Sequence, residues 1–184
     1  MKHLRLLIPL SIFLCIGLLL WKGLSLKPAE LPSVLIGNTA PSFHLNTIED
    51  PKQWVTEKTF KGQVTILNVW STDCRGCQVE HAFWQSLKSL KSLKSLKTKN
   101  QFTLIGLNYH DELQDTKQWL ETYGNPYQVT LFDKAGRLAM DFGVYGTPET
   151  FIVDKEGIIR YRHVGAVDEK LWRNTLLPIM EKLQ

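Results

Sequence analysis

Two stretches of this chain, VTILNVW (64–70) and FTLIGLNY (102–109), are β-rich and continuously apolar rather than alternating. A strand with one face in water alternates apolar and polar side chains; a continuous run needs cover on both faces. Both therefore read as buried strands, and ETFIVD (149–154) reads as a third. Helical patterns lie between them. One should begin at about Cys74, and DTKQWLETY (115–123) is closed by Gly124-Asn125-Pro126. After the third strand, KEG (155–157) makes a turn and IIRYRH (158–163) is its hairpin partner. DEKLWRNTLLPIMEKL (168–183) is a terminal helix, with Asp168 as N-cap and Pro178 expected to kink or end it. Strands alternating with helices, then a hairpin and a helix, predict an α/β sheet covered on both faces.

The N-terminus follows a different rule. Residues 6–21, LLIPLSIFLCIGLLLW, carry no charge; Lys2, His3 and Arg5 precede them and Lys22 follows. Such a stretch is just long enough to span hydrocarbon when extended by its flanks. The leading basic residues favour a cytoplasmic N-terminus and an exported remainder, with Trp21 at the interface. The alternative, a cleaved signal peptide, wants an A-x-A-like site, for which Gly23-Leu24-Ser25 is a poor imitation. The expected organisation is an anchor over 1–22, a Pro-containing linker over 23–35 and a folded domain over 36–184. In a bacterial cell that puts the domain in the periplasm or on the outer surface, where thiols tend to be oxidised, and the expected location is the inner membrane, single-pass, with the domain facing the periplasm.

The net charge of +4 is too small an excess to imply nucleic acid. Three cysteines, at 15, 74 and 77, are too few for a disulfide-stapled scaffold, and Cys15 falls inside the apolar stretch. Residues 86–97 repeat SLK four times. At a spacing of three, successive positions precess by about 60° around a helix. Leu87 and Leu90 share the face of Phe83 and Trp84, while Leu93 and Leu96 swing away from it, so the second half should overhang the domain or fray.

Cys74 and Cys77, between a buried strand and a helix, carry the chemistry. At a helix start, the Cys74 thiol lies beside unbonded N–H groups at the positive end of the dipole, which lowers its pKa and makes it the nucleophile. Cys77 is one turn on and faces inward, placed to resolve a mixed disulfide. Zinc is the alternative: Cys74, Cys77 and His81 have ligand-like spacing, and His110 or His163 completes a tetrahedron. There is no second cysteine pair to support it. Covalent haem needs His after the second Cys, and residue 78 is Gln.

Four segments together resemble one family. GVYGTPETFIVDKEGIIRYRHVG (143–165), the cysteine pair followed by Glu80-His81, GNPY (124–127) and LIGNTAPSFHL (35–45) are similar to the DsbE/CcmG family, the membrane-anchored thiol:disulfide interchange proteins of cytochrome c maturation. The resemblance implies a thioredoxin-like α/β fold, a central mixed sheet flanked by helices, with an N-terminal transmembrane helix. It implies a redox-active Cys74–Cys77 disulfide that needs no cofactor or metal, and a periplasmic reductase. Electrons would come from a DsbD/CcdA-type membrane donor. The client would be the C-x-x-C-H disulfide of apocytochrome c or a CcmH-type partner. In such folds a cis proline faces the cysteine pair and pairs with an extended client; here that is Thr147-Pro148. Glu80, Tyr145 and Glu149 map onto the residues that line the groove.

A buried carboxylate near a thiol disfavours the thiolate, so Glu80 is expected to hold the Cys74 pKa up, with a lesser, better-screened contribution from Asp73. The chain also departs from the family. Asp73 replaces the usual Trp before the first cysteine and Arg75 the usual Pro after it, while Gly76 should loosen the first helical turn. These differences leave two further readings open: a general thioredoxin-like reductase of exported proteins, and a tethered client-binding module whose cysteines are idle or bind zinc.

Overall fold

The computed structural model describes residues 2–24, 35–92 and 102–184. It comprises two units, Met1–Leu31 and Pro32–Gln184. In the first, α1 spans Lys2–Leu24, carries Pro9 and exposes every side chain from 9 to 23. Among the described residues no helix is long and apolar enough to cross a membrane. The expected linker residues 25–34 lie outside the described residues.

In the second unit, β3 (Val64–Trp70) is central to a five-stranded sheet of order β5-β4-β3-β6-β7. Strands β4 (Phe102–Tyr109) and β5 (Val129–Asp133) run parallel to it on one side. Strands β6 (Glu149–Val153) and β7 (Ile159–Val164) run antiparallel on the other, giving the expected mixed sheet. All seven β3 residues are buried because the two faces meet two separate apolar layers. Val64, Ile66 and Trp70 join Trp84, Trp172 and Leu176 on one side; Leu67 and Val69 join Phe60, Phe142 and Phe151 on the other. The alternation along β3 is thus between two cores, not between core and water.

Helix α2 (Arg75–Ser92) is the next element after β3, and α3 (Leu113–Tyr123) follows β4. Leu87 packs on the core as its spacing from Phe83 and Trp84 predicts; Leu93 and Leu96 lie outside the described residues. Three short elements carry no periodic signal: the hairpin β1 (His44–Asn46) and β2 (Trp54–Thr56), strand β5, and α4 (Arg137–Asp141). Asp133 makes α4 possible, because its carboxylate accepts the N–H groups of Arg137 (3.0 Å) and Ala139 (2.9 Å).

One expectation needs correction, and of the two outcomes expected at Pro178, a kink or an end, one is excluded. Residue 154 opens the hairpin turn instead of ending β6: Asp154 Oδ1 accepts from Glu156 N (3.0 Å) and Ile158 N (2.9 Å). Pro178 does not end the terminal helix. Helix α5 (Glu169–Leu171), capped by Asp168, passes through a π turn (Trp172–Leu176) into α6 (Leu177–Lys182). The N–H of Leu177 bonds to the Trp172 carbonyl, so the wider turn comes immediately before the residue that has no N–H to give.

Candidate active site

Strand β3 ends at Trp70, and four residues separate it from α2. Asp111 holds that connection. Its carboxylate accepts Thr72 N at 2.8 Å, Thr72 Oγ1 at 3.0 Å and Asn108 Nδ2 at 2.6 Å. Before it, His110 turns the chain out of β4 with a left-handed φ of 58°. The helix starts at Arg75, so Cys74 is its N-cap. The Cys74 carbonyl accepts Gln78 N at 3.1 Å, and its Sγ accepts Cys77 N at 3.0 Å. A sulfur placed as a cap side chain receives an N–H that otherwise lacks a partner, and this interaction favours a thiolate there. Cys74 is half-buried and Cys77 only 3% exposed; they form a disulfide with Cα atoms 5.2 Å apart.

A second loop closes on this turn. The Thr147-Pro148 bond is cis, as expected. Pro148 lies against Gly76, where a Cβ would fall 2.8 Å from Pro148 Cδ. Gly76 therefore has a packing role, leaving room for the proline ring over the first helical turn. Ser71 Oγ donates to Asp73 Oδ1 (2.8 Å) and lies 3.4 Å from Thr147 Oγ1, joining the two loops. Asp73 and Arg75 are exposed on either side of Cys74. Tyr145 is exposed, with the Arg162 guanidinium 4.9 Å from its ring centre.

Glu149 does not line an open groove. It is fully buried, with Oε2 2.7 Å from Arg162 Nε and Oε1 accepting Arg162 Nη2 (3.0 Å) and Tyr145 N (3.1 Å). Arg162 also donates to the Gly143 carbonyl at 3.0 Å. A carboxylate in the sheet needs such a partner, and the pair braces the 143–148 loop from behind.

Glu80 is buried as well, at 1% exposed, one turn beyond Cys77. Oε1 accepts Asn68 Nδ2 and Oε2 accepts Val167 N, both at 2.8 Å. Burial pushes its carboxyl up to about 7; Val167, Asn68 and Trp84 pull the other way without cancelling it. Tyr127 donates to Asn68 Oδ1 at 2.7 Å, and its phenol is raised well above the usual range by burial and by the Glu80 charge. His81 turns elsewhere: its Nε2 is 3.1 Å from the Tyr123 carbonyl and its ring meets Trp119 edge-on. Desolvation lowers its pKa, against the Tyr123 and Gly124 carbonyls. Among the described residues no three metal-ligating side chains gather.

The fold thus brings Cys74, Cys77, Asp73, Thr147 and Pro148 together, sets Tyr145 at the edge of the second loop, and buries Glu80 and Glu149 behind them. Sequence reasoning missed Ser71, Asp111, Asn68 and Tyr127. Asn68 was the most legible of these, as an amide in the middle of an apolar strand.

Comparisons with known proteins bear on this arrangement. Residues 35–176 match the family model described as Redoxin. The chain is 42% identical over 183 residues to the thiol:disulfide interchange protein DsbE of Pseudomonas aeruginosa, covering 100% of this chain and 96% of that one. It is 39% identical over 188 residues to DsbE of Escherichia coli K12, covering 99% and 96%. Among solved structures, a thiol:disulfide interchange protein of the thioredoxin family from Chlorobium tepidum aligns with a TM-score of 0.60 at 22% identity, over 79% of this chain and 94% of that one. The pneumococcal exposed lipoprotein thioredoxin from Streptococcus pneumoniae aligns with a TM-score of 0.59 at 19% identity, over 78% and 100%. The structural likenesses show the thioredoxin-like fold. A capped, half-buried cysteine bonded to a buried one, in a chain of this descent, is a redox pair, and the chain belongs to the redoxin family, with the DsbE thiol:disulfide interchange proteins, as a disulfide oxidoreductase.

Proposed function

We propose that this protein is a membrane-anchored, periplasm-facing reductase acting in cytochrome c maturation. The observation that carries the reductase reading is the asymmetry of the pair: Cys74 caps α2 at the mouth of the 143–148 loop, and Cys77 is buried behind it. The reduced Cys74 thiolate attacks one sulfur of a client disulfide and forms a mixed disulfide, releasing the other client sulfur as a thiol. The Cys77 thiolate then attacks Cys74 Sγ and the second client thiol leaves. Two electrons pass to the client and the Cys74–Cys77 disulfide remains, to be reduced again by a DsbD/CcdA-type membrane donor. The client is the haem-binding disulfide of apocytochrome c or a CcmH-type protein. An extended client segment pairs beside Pro148, with Tyr145 and Thr147 along the groove. The names of the relatives support thiol:disulfide interchange, and the family resemblance of the four segments quoted above supports the pathway; the uncharged stretch at 6–21 with basic residues before it supports the anchor.

The test is capture. A Cys77→Ala variant should accumulate mixed disulfides through Cys74, and the trapped proteins should be cytochrome c assembly components. Capture of none would eliminate the reductase. Exposed Asp73 and Arg75, charges beside the attacking sulfur, favour a second reading, a reductase with other exported clients; unrelated trapped proteins would establish it. A periplasm-dependent reporter fused after residue 40 should be active and membrane-bound. A shortened, soluble reporter would show cleavage in place of anchoring.

A further inference from the structure

Glu80 meets only donors, and the cause lies one strand away. Register places Thr130, Gly106, Asn68 and Thr150 side by side across β5, β4, β3 and β6. A Cβ on Gly106 would fall 2.7 to 2.9 Å from carbons of the Tyr127 ring. The ring therefore lies over β4 where that strand has no side chain, and its phenol reaches Asn68 on β3. Asn125 Oδ1 accepts Tyr127 N at 2.9 Å and fixes the approach of the ring.

We propose that Tyr127 is a positioning residue: its buried phenol fixes the orientation of the Asn68 amide, so that both Glu80 oxygens face hydrogen-bond donors and the carboxylate is favoured over the acid. An Asn amide can be turned over with little change of shape, exchanging its acceptor for its donors. As placed, Oδ1 takes the phenol proton while Nδ2 donates to Glu80 Oε1 and to Thr150 Oγ1 (3.2 Å). Turned over, the NH₂ would meet the phenol oxygen, and no other acceptor for the phenol proton is bonded to it among the described residues. An orphaned donor in a buried site is costly. Thr150 does not select an orientation, since a hydroxyl both donates and accepts. The phenol does.

The consequence falls on Glu80. A protonated carboxyl needs an acceptor for its own proton, and Oδ1 of a turned Asn68 is the acceptor that Tyr127 withholds. The Val167 N–H occupies Oε2, and the buried Trp84 indole N–H offers Glu80 a further donor and no acceptor. The titratable and charged groups on the surrounding elements are few. On α2, Cys77 and His81 are buried, the latter turned to Tyr123, while Arg75 and Lys88 are exposed. On β6, Glu149 is paired with Arg162. Beside Val167, Asp168 caps Leu171 N at 2.7 Å. Any effect on the thiols rests on the reductase reading above; the orientation itself does not.

The test follows the Glu80 carboxyl carbon by NMR against pH in the oxidised protein. Tyr127→Phe keeps the ring and removes the proton; it should raise the Glu80 midpoint by about one pH unit. Gly106→Ala, which displaces the ring, should move it the same way. In an Asn68→Ala background Tyr127→Phe should add nothing. An unmoved or lowered midpoint, or an equal shift with and without Asn68, overturns the proposal. In the unsubstituted protein, nuclear Overhauser effects from the Asn68 amide protons should reach Glu80 and not the Tyr127 phenol; the reverse overturns it without any variant. Thiolate absorbance of the reduced Tyr127→Phe protein separates the two readings. A Glu80 shift with unchanged thiol titration upholds the positioning role and removes the coupling of Glu80 to the cysteines.

Discussion

At the scale of single residues, two opposing influences act on one sulfur. The Cys77 N–H aimed at Cys74 Sγ stabilises a thiolate, and a carboxylate buried one turn beyond Cys77 disfavours it. Position decides which acid matters. Glu80 is 1% exposed and cannot be screened by water, whereas Asp73 is exposed and already bonded to Ser71. Glu80→Gln should therefore lower the Cys74 thiol pKa by about one unit, about 1.4 kcal/mol between the two protonation states. Asp73→Asn should lower it by less. Thiolate absorbance against pH for both variants beside the parent measures this, and an unchanged titration in Glu80→Gln would reduce Glu80 to a buried structural acid. The sequence shows both carboxylates near the motif but not their burial, because depth depends on where Val167 and Asn68 arrive. Gly76 is misread for the same reason: from sequence it loosens a helix, and in the fold it makes room for Pro148, a residue 72 positions away by the numbering.

Among elements, the 143–148 loop owes its shape to the strand behind it. Arg162 on β7 bonds Glu149 on β6 and the Gly143 carbonyl, and Glu149 takes the Tyr145 N–H. Both side chains of the pair are desolvated, at 8% and 0% exposed. Removing one partner strands the other's charge, a loss of about 3–5 kcal/mol, while replacing both with apolar residues of similar volume costs much less. Denaturant unfolding should rank Glu149→Leu well below the Glu149→Leu/Arg162→Met double variant in stability. Equal losses would mean that the pair does not share its energy. The elements themselves were legible where apolar content was long and uniform, as in β3 and β4, whose bounds coincide with the expected 64–70 and 102–109. Strands of three residues such as β1 and β2 offer too few positions for any period, and α4 is held by a side chain from outside it, Asp133. The cysteine pair and the proline were readable as local motifs. The Asn68–Tyr127–Glu80 group was not, because only the register of β3 with β4 brings its members together.

For the folded unit as a whole, the redox site is a source of pH-dependent instability. Glu80 has an ordinary carboxyl pKa of 4.5 in the unfolded chain and about 7 when buried. Below pH 4.5 it is protonated in both states and costs nothing. As pH rises from there, the unfolded chain loses its proton while the folded one keeps it, so stability falls until the folded group also ionises near 7. The difference of 2.5 units amounts to about 3 kcal/mol, a large share of the stability of an ordinary domain. Urea unfolding of the oxidised protein at pH 4, 5.5 and 8 isolates this contribution when parent and Glu80→Gln are compared, since every other titrating group is common to both. Relative to the parent, the Gln variant should gain progressively, by about 3 kcal/mol between pH 4 and pH 8. A difference that stays constant with pH would show that Glu80 carries its charge at no cost. The donors around it, Asn68 and Val167, would then offset the burial instead of merely moderating it.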